Sequence, residues 1–203
     1  MTNARQLAII TGVSYLIIFF AAIFANFFVL EALISDPLGT VGNDQMMIRS
    51  GIMAFMITVI FDVVVAWTLF RLFESHILSG LSTLFRMMHA AIMGVAIFAL
   101  PLVFEMNEAS AILHQVETFN IIWLIGLFFF GIHLILLGKI IGKPTWIAVF
   151  LILAGTMYMV DTTAHFMLPD YDAYADIFLM LVAVPSIFGE MSLAIWLLLK
   201  GGK

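Results

Sequence analysis

The sequence predicts an all-α polytopic membrane protein in which six transmembrane helices form one bundle. Of the 203 residues, 64% are hydrophobic and only 10% are charged, whereas a soluble domain carries about 25% charged residues. Six continuous apolar segments are long enough to cross a bilayer, which takes about 20 residues. We therefore expect a single transmembrane domain over residues 1–203, surrounded by lipid, and we exclude a water-soluble enzyme and a disordered chain.

Helix-breaking residues separate the six segments, as in Asp36-Pro37-Leu38-Gly39, Gly142-Lys143-Pro144 and Leu168-Pro169-Asp170. We expect the first segment to be retained, because its apolar run is longer than that of a signal peptide and no small-residue cleavage site follows. Membrane strands are excluded because the segments are continuously apolar rather than alternating. The predicted helices cover about residues 7–30, 46–72, 81–104, 119–141, 145–166 and 174–199.

Basic residues predict the orientation of the helices. With six helices, the two termini, the second–third connection and the fourth–fifth connection share one side. That side carries seven basic residues, and the other side carries Arg49. Because positive residues accumulate on the cytoplasmic side, we expect both termini in the cytoplasm. The seven counted residues are Arg5, Arg71, Arg86, Lys139, Lys143, Lys200 and Lys203.

Charge and cysteine content exclude further classes of protein. The net charge is −5, with 8 basic and 13 acidic residues, so the chain lacks the basic face that a nucleic-acid partner requires. The sequence contains no cysteine. A disulfide framework, a thiolate nucleophile and a covalently attached haem are therefore excluded.

Ionisable residues inside the predicted helices indicate a functional site. Such groups are costly in hydrocarbon and usually face the interior of a bundle. By the helical rise, five of them lie about 8–13 Å from the cytoplasmic end, in one layer. This layer comprises Asp62, Arg86, His89, His133 and Glu190.

Further polar residues lie near this layer or beyond it. Ser14, Tyr15 and Thr58 are expected to support the layer, because they reach a similar depth or share a helix face with Asp62. Tyr158, Asp161 and His165 have helical spacing and lie in the outer half of the fifth helix. They predict a secondary outer site.

The layer fits several kinds of chemistry. Carboxylates beside an arginine suit binding of a small molecule or lipid, or proton and solute transport, for which six helices would be expected to form a homo-oligomer. His89 and His133 with the two carboxylates could ligate zinc in an intramembrane hydrolase, although no HxxxH or HExxH pair occurs. The same two histidines, facing each other, could hold a b-type haem. Alternatively, the charges form a closed ion-pair cluster that only fixes helix register.

The buried arginine carries the most specific structural prediction. Arginine cannot escape burial by deprotonating, so an unpaired guanidinium at this depth is very costly. We expect Arg86 to hydrogen-bond Asp62 or Glu190, with His133 lining the same space. The alternative is that Arg86 extends its long side chain to the headgroups.

Two stretches of the chain carry a family resemblance, namely GLFFFGIH at residues 126–133 and GEMSLAIW at residues 189–196. With Asp62, Phe85-Arg86, YMVD at residues 158–161 and LPDY at residues 168–171, they make nearly the whole chain similar to the six-helix membrane family named domain of unknown function 4386. The resemblance implies a bacterial inner-membrane protein and no particular activity. Another polar residue is usual at the position of His89, which disfavours a two-histidine metal or haem site.

Overall fold

A computed structural model describes residues 3–202 and confirms the all-helical bundle. Within these residues six helices are long and apolar enough to cross a membrane. We label them α1 to α6 in chain order. They are α1 (Asn3–Ser35), α2 (Gln45–Leu72), α3 (Ser79–Glu105), α4 (Ala109–Ile141), α5 (Thr145–Met167) and α6 (Tyr171–Leu199).

The connections and helix ends contain shorter helical elements. A short helix, Pro37–Asn43, joins α1 to α2, and the Asp36 side chain caps it by accepting a hydrogen bond from the backbone N–H of Gly39 at 3.1 Å. The α-helical part of α3 is Ser79–Ala96, after which the chain tightens into 3₁₀ turns at Ile97–Ala99 and Pro101–Glu105. These elements lie at the ends of the bundle and leave its middle to the six long helices.

Helix α4 begins at Ala109, ten residues before the start predicted from the apolar run. Its first turns are amphipathic, with Ile112, Val116 and Phe119 buried and Glu117 exposed. The spacing of the buried residues keeps them on one helical face. A search for continuous apolar residues misses such a segment, whereas helical periodicity detects it.

The six helices form a ring. Each helix packs against the next in the chain, and α6 returns to pack against α1. The approach of α4 to α5 is especially close at Gly131 and Gly155, where a methyl group on either glycine would lie within 2.5 Å of the other's carbonyl oxygen. Small residues allow such approaches between membrane helices.

The two chain ends meet at one end of the bundle, which we call the termini end. Nη1 of Arg5 donates hydrogen bonds to the carbonyl oxygens of Leu197 at 2.8 Å and Gly201 at 3.0 Å, and Nη2 donates to that of Leu198. The guanidinium thus satisfies carbonyl groups at the C-terminal end of α6. Arg86, which the sequence count placed among surface basic residues, is instead 1% exposed. Without it the count is six against one, and Lys203 lies outside the described residues.

Two apolar cores hold the ring together, one at each end. The core at the termini end includes Leu69, Leu137 and Leu197. The core at the opposite end includes Leu33 and Ile112. Between the two cores the helices enclose a cavity.

Helices α1 and α6 are irregular and separate from each other away from the termini end. Helix α1 contains a π-helical segment at Ala25–Leu30, and α6 contains one at Ile187–Met191. Helix α6 packs on α1 through Ile187–Leu199, whereas Ala175–Ser186 packs on α5. Within the described segment Ala175–Ser186, burial is confined to Ser186. The ring is therefore loosely closed between α1 and α6.

Polar side chains at the two π-helical segments bond to the helix backbone. The amide of Asn26 donates to the carbonyl oxygen of Ala22 at 2.9 Å, and the hydroxyl of Ser186 donates to that of Val182 at 2.7 Å. Pro185, which has no N–H, lies directly before Ser186. π-Helical segments occur frequently at functional sites, and both of these flank the cavity.

Candidate functional site

A buried ion pair joins α2 to α3 in the middle of the bundle. Nη2 of Arg86 donates a hydrogen bond to Oδ1 of Asp62 at 2.5 Å. Arg86 is 1% exposed and Asp62 is 4% exposed. The pairing expected from the sequence is therefore present, and Arg86 does not extend to the headgroups.

The guanidinium of Arg86 makes several further contacts. Nη1 donates to the hydroxyl oxygen of Tyr15 at 2.9 Å. The guanidinium carbon also lies 4.9 Å from the ring centroid of Tyr15 and 5.2 Å from that of Phe130. Aromatic faces attract cations at such distances, more strongly where water is excluded. Side chains from α1, α2 and α4 therefore hold one cation supplied by α3.

His133 contacts the other side of the guanidinium. Its Nε2 lies 3.2 Å from Nη1 of Arg86. Because a guanidinium can only donate, Nε2 is the acceptor and the ring proton lies on Nδ1. Nδ1 lies 3.0 Å from the carbonyl oxygen of Ser82 and 2.9 Å from its hydroxyl oxygen. The sequence analysis expected His133 to line the same space as the ion pair. The structure instead places His133 behind Arg86, outside the lining of the central cavity.

His89 lies beside Oδ2 of Asp62, the carboxylate oxygen that does not accept the hydrogen bond from Arg86. Its Nε2 is 3.6 Å from Oδ2 of Asp62, and its ring packs 4.8 Å from that of Phe130. Gly126 of α4 leaves room for the imidazole, because a methyl group at that position would lie 3.2 Å from Nδ1 of His89. Asp62 is thus shared by two side chains of α3.

Glu190 differs from the other acidic member of the layer. It lies in the π-helical segment of α6 and lines the central cavity. Among residues 3–202 it has no ion pair and no hydrogen bond to its carboxylate. Arg86, the basic residue that lines the same cavity, is already paired with Asp62.

The cavity has a volume of about 310 Å³ and is lined by residues of all six helices. By the helical rise, its polar groups lie about 10–21 Å from the termini end, whereas the residues of its apolar part lie from about 24 Å onward. The polar end comprises Tyr15, Thr58, Asp62, Arg86, His89, Tyr158, Ser186 and Glu190. The apolar part includes Phe19, Ile23, Phe27, Phe55 and Trp123.

The cavity opens sideways, between α1 and α6. Eleven of its lining residues belong to these two helices. Two of them are largely exposed at the outside of the bundle, since Phe27 is 67% exposed and Ile187 is 49% exposed. In a membrane, the opening would face lipid.

The sequence analysis expected some residues to support the charged layer and others to form a secondary outer site. In the structure, the members of each of these two groups do not all lie together. Thr58 lines the cavity and donates to the carbonyl oxygen of Phe55 at 2.7 Å, whereas Ser14 is buried outside the lining. Tyr158 faces the central cavity rather than Asp161 and His165, with which the sequence analysis had grouped it.

Asp161 and His165 meet Tyr171 instead. The Tyr171 hydroxyl donates to Oδ1 of Asp161 at 2.6 Å, and the rings of Tyr171 and His165 lie 4.6 Å apart. This contact fixes the turn between α5 and α6.

The sequence did not predict every contributor to the site. Ser82 is one turn before Arg86, on the face of α3 that also buries Ser79, His89 and Met93, so helical spacing would have found it. Phe27 and Phe55, which also line the cavity, carried no comparable signal, because apolar residues facing a cavity and apolar residues facing lipid look alike in a sequence.

The contacts of the two histidines do not suit a metal or haem. Within residues 3–202, no group of three or more His, Asp and Glu side chains is arranged to hold a metal ion. Nε2 of His133 faces the guanidinium of Arg86, a fixed cation where a metal would have to bind. The ring of Phe130 packs against both imidazoles, at 4.8 Å from His89 and 5.7 Å from His133. It occupies the space that a haem between them would require.

Comparison with known proteins identifies relatives over most of the chain. The profile of the family described as "Domain of unknown function (DUF4386)" matches residues 10–201. A protein of Archaeoglobus fulgidus described as "Uncharacterized protein" is 32% identical over 158 residues, which cover 75% of this chain and 84% of the relative. No solved structure matches the chain. These matches confirm the resemblance found in the sequence.

Proposed function

We propose that this chain, which belongs to the family described as "Domain of unknown function (DUF4386)", binds a small amphipathic molecule taken up from the membrane. The observation that carries the proposal is the cavity of about 310 Å³, which has a charged, hydrogen-bonding end and an aromatic, apolar end. Binding pockets for small molecules combine apolar walls with a few fixed polar groups in this way.

The sideways opening supports entry from lipid. An amphipathic ligand in the bilayer would reach the cavity between α1 and α6 without crossing either core of the bundle. The π-helical segments of both helices lie beside this route. Because π-helical segments are rare interruptions of regular helix that occur frequently at functional sites, we expect these two to allow α1 and α6 to separate during entry.

The interior of the cavity supports a ligand with an extended chain. By the helical rise, Trp123 lies about 13 Å further from the termini end than Glu190 does. A polar head at Glu190 would therefore leave an alkyl chain along Phe19, Phe55 and Trp123. Because the ligand comes from lipid, whose tails are as apolar as these side chains, its chain contributes through van der Waals packing in the cavity rather than by leaving water.

Binding is favoured over conduction of protons or solutes. A second, narrow crevice of about 10 Å³ lies on the other side of the charged layer, lined by Ser79, Ser82, Thr83 and His133 among others. Arg86 and His133 separate this crevice from the cavity. Arg86 is held between the two spaces by its hydrogen bonds to Tyr15 and Asp62 and by its contact with His133. Transport, and the homo-oligomer expected for it, would require this layer to open.

The same proposal includes a location. We place the chain in a bacterial inner membrane, as the family resemblance implies, and the basic residues at the termini end support termini that face the cytoplasm. The polar end of the cavity would then lie in the cytoplasmic half of the bilayer, and the aromatic end near its middle and outer half.

Trp123 provides a direct test of ligand entry, because it lines the cavity. The other three of the four tryptophans, Trp67, Trp146 and Trp196, would be changed to Phe. The protein in phosphatidylcholine nanodiscs would be titrated with ω-bromodecylammonium and ω-bromodecanol, whose bromine quenches tryptophan fluorescence on contact. We expect quenching of Trp123 that saturates and is relieved by the unbrominated analogue.

Two controls separate occupation of the cavity from partitioning into lipid. A variant that retains Trp67 alone reports the outer surface, since Trp67 is 55% exposed, and its quenching should rise without saturating. Ala183→Phe would fill the cavity and abolish saturable quenching, whereas Val184→Phe, on the lipid-facing side, would not. Non-saturable quenching of Trp123, or equal effects of the two α6 variants, would refute the proposal.

A further inference from the structure

We infer that the ligand is an amphiphile with a single cationic head group and that Glu190 is its counter-ion. The inference rests on the proposed function and adds the class of head group. It depends on how charges are distributed around the polar end of the cavity.

The lining carries one more carboxylate than it carries guanidinium groups. Arg86 is paired with Asp62 at 2.5 Å, and its Nη1 is committed to Tyr15 and His133. Glu190 has neither an ion pair nor a hydrogen bond within residues 3–202. The arginine is therefore already neutralised, and the second carboxylate lacks a partner of opposite charge.

The backbone around Glu190 fixes its position at the opening. Its neighbour Gly189 packs closely on α5, where an added methyl group would lie 3.1 Å from the backbone nitrogen of Leu151. The π-helical segment then directs residue 190 to the cavity. A ligand entering between α1 and α6 would pass this carboxylate.

An aromatic ring near Glu190 is suited to the same head group. Tyr158 lines the cavity and meets the ring of Phe130 edge-on at 5.6 Å. The rings of Tyr15 and Phe130 already lie beside Arg86, whereas no cation–π contact to Tyr158 occurs among the described residues. Tyrosine beside a carboxylate is a favourable environment for an ammonium group.

An anionic head group is disfavoured by the same geometry. It would lie close to both carboxylates of the lining, Asp62 and Glu190, beside an arginine that is already paired with Asp62. Like charges in a site of low dielectric repel strongly. A neutral head group would leave the Glu190 carboxylate without a charged partner.

Three probes with the same chain test the inference by the Trp123 fluorescence titration: ω-bromodecylammonium, ω-bromodecanol and ω-bromodecyl sulfate. In the protein with its native Glu190, we expect the ammonium probe to bind about ten-fold or more tightly than the alcohol, as a charge-assisted contact provides. Glu190→Gln keeps the size of the side chain and removes its charge. This variant should bind the ammonium probe no more tightly than the alcohol.

The controls distinguish the two proposals. Asp161→Asn removes a carboxylate outside the cavity and should leave all three affinities unchanged. If every probe saturates with equal affinity, or if Glu190→Gln retains the preference for ammonium, the inference is wrong while the binding function stands. If the sulfate binds most tightly, Arg86 is the recognition group and the inference is again wrong. If no probe saturates, the binding function itself fails.

Discussion

Nη2 of Arg86 lies 2.5 Å from Oδ1 of Asp62, and both side chains are almost completely buried. The pair divides the bundle into a cavity on one side and a narrow crevice on the other. Its hydrogen bonds to Tyr15 and His133 connect four of the six helices through one guanidinium. The pair is thus part of the fold as well as the polar end of the cavity.

Removal of Arg86 alone should destabilise the protein strongly. Arg86→Met leaves Asp62 buried without its cation, and breaking a buried pair in this way costs about 3–5 kcal/mol. Asp62→Asn combined with Arg86→Met removes both charges and should restore much of that loss. The free energy of unfolding in mixed detergent micelles measures both effects. A single variant as stable as the double variant would show that Asp62 does not depend on Arg86.

A methyl group between α4 and α5 should separate the two helices. In Gly155→Ala the new Cβ would lie 2.4 Å from the carbonyl oxygen of Gly131, so the backbones must move apart. We expect a loss of about 1–3 kcal/mol in the free energy of unfolding, as in other overpacked sites. Gly94→Ala is the matched control, because a Cβ there meets nothing within 4 Å. Equal stability of the two variants would contradict the close approach.

The orientation predicted from basic residues can be measured with single cysteines, because the chain has none of its own. Lys143→Cys places a thiol in the exposed α4–α5 connection, and Asn107→Cys places one in the exposed α3–α4 connection. In intact cells, a membrane-impermeant maleimide should label residue 107 and not residue 143. Both should react after the cells are permeabilised. Labelling of residue 143 alone in intact cells would reverse the orientation.

The central ion pair could be predicted from sequence because few alternatives existed for it. The helical rise placed Asp62 and Arg86 at similar depths, and a buried arginine requires a partner. The position of His133 could not be derived in the same way. Its side depends on the rotation of α4, which is fixed by the contact of Gly131 with Gly155.

The cavity itself could not be predicted from the sequence pattern. Phe27 and Phe55 are apolar residues in apolar helices, and no sequence feature distinguishes those that face the interior from those that face lipid. The π-helical segments of α1 and α6 result from backbone geometry rather than from residue type. Glu190 was identified as buried, but its lack of a partner emerges only when all neighbouring side chains are placed.

The most direct test of ligand binding is a crystal structure of the protein with ω-bromodecylammonium, with data collected at the bromine absorption edge. The anomalous signal locates the end of the alkyl chain without reference to the protein coordinates. We predict a bromine peak inside the ring, beside Phe55 or Trp123, with the ammonium nitrogen at Glu190. Bromine peaks confined to the lipid-facing surface, with none in the cavity, would contradict the account.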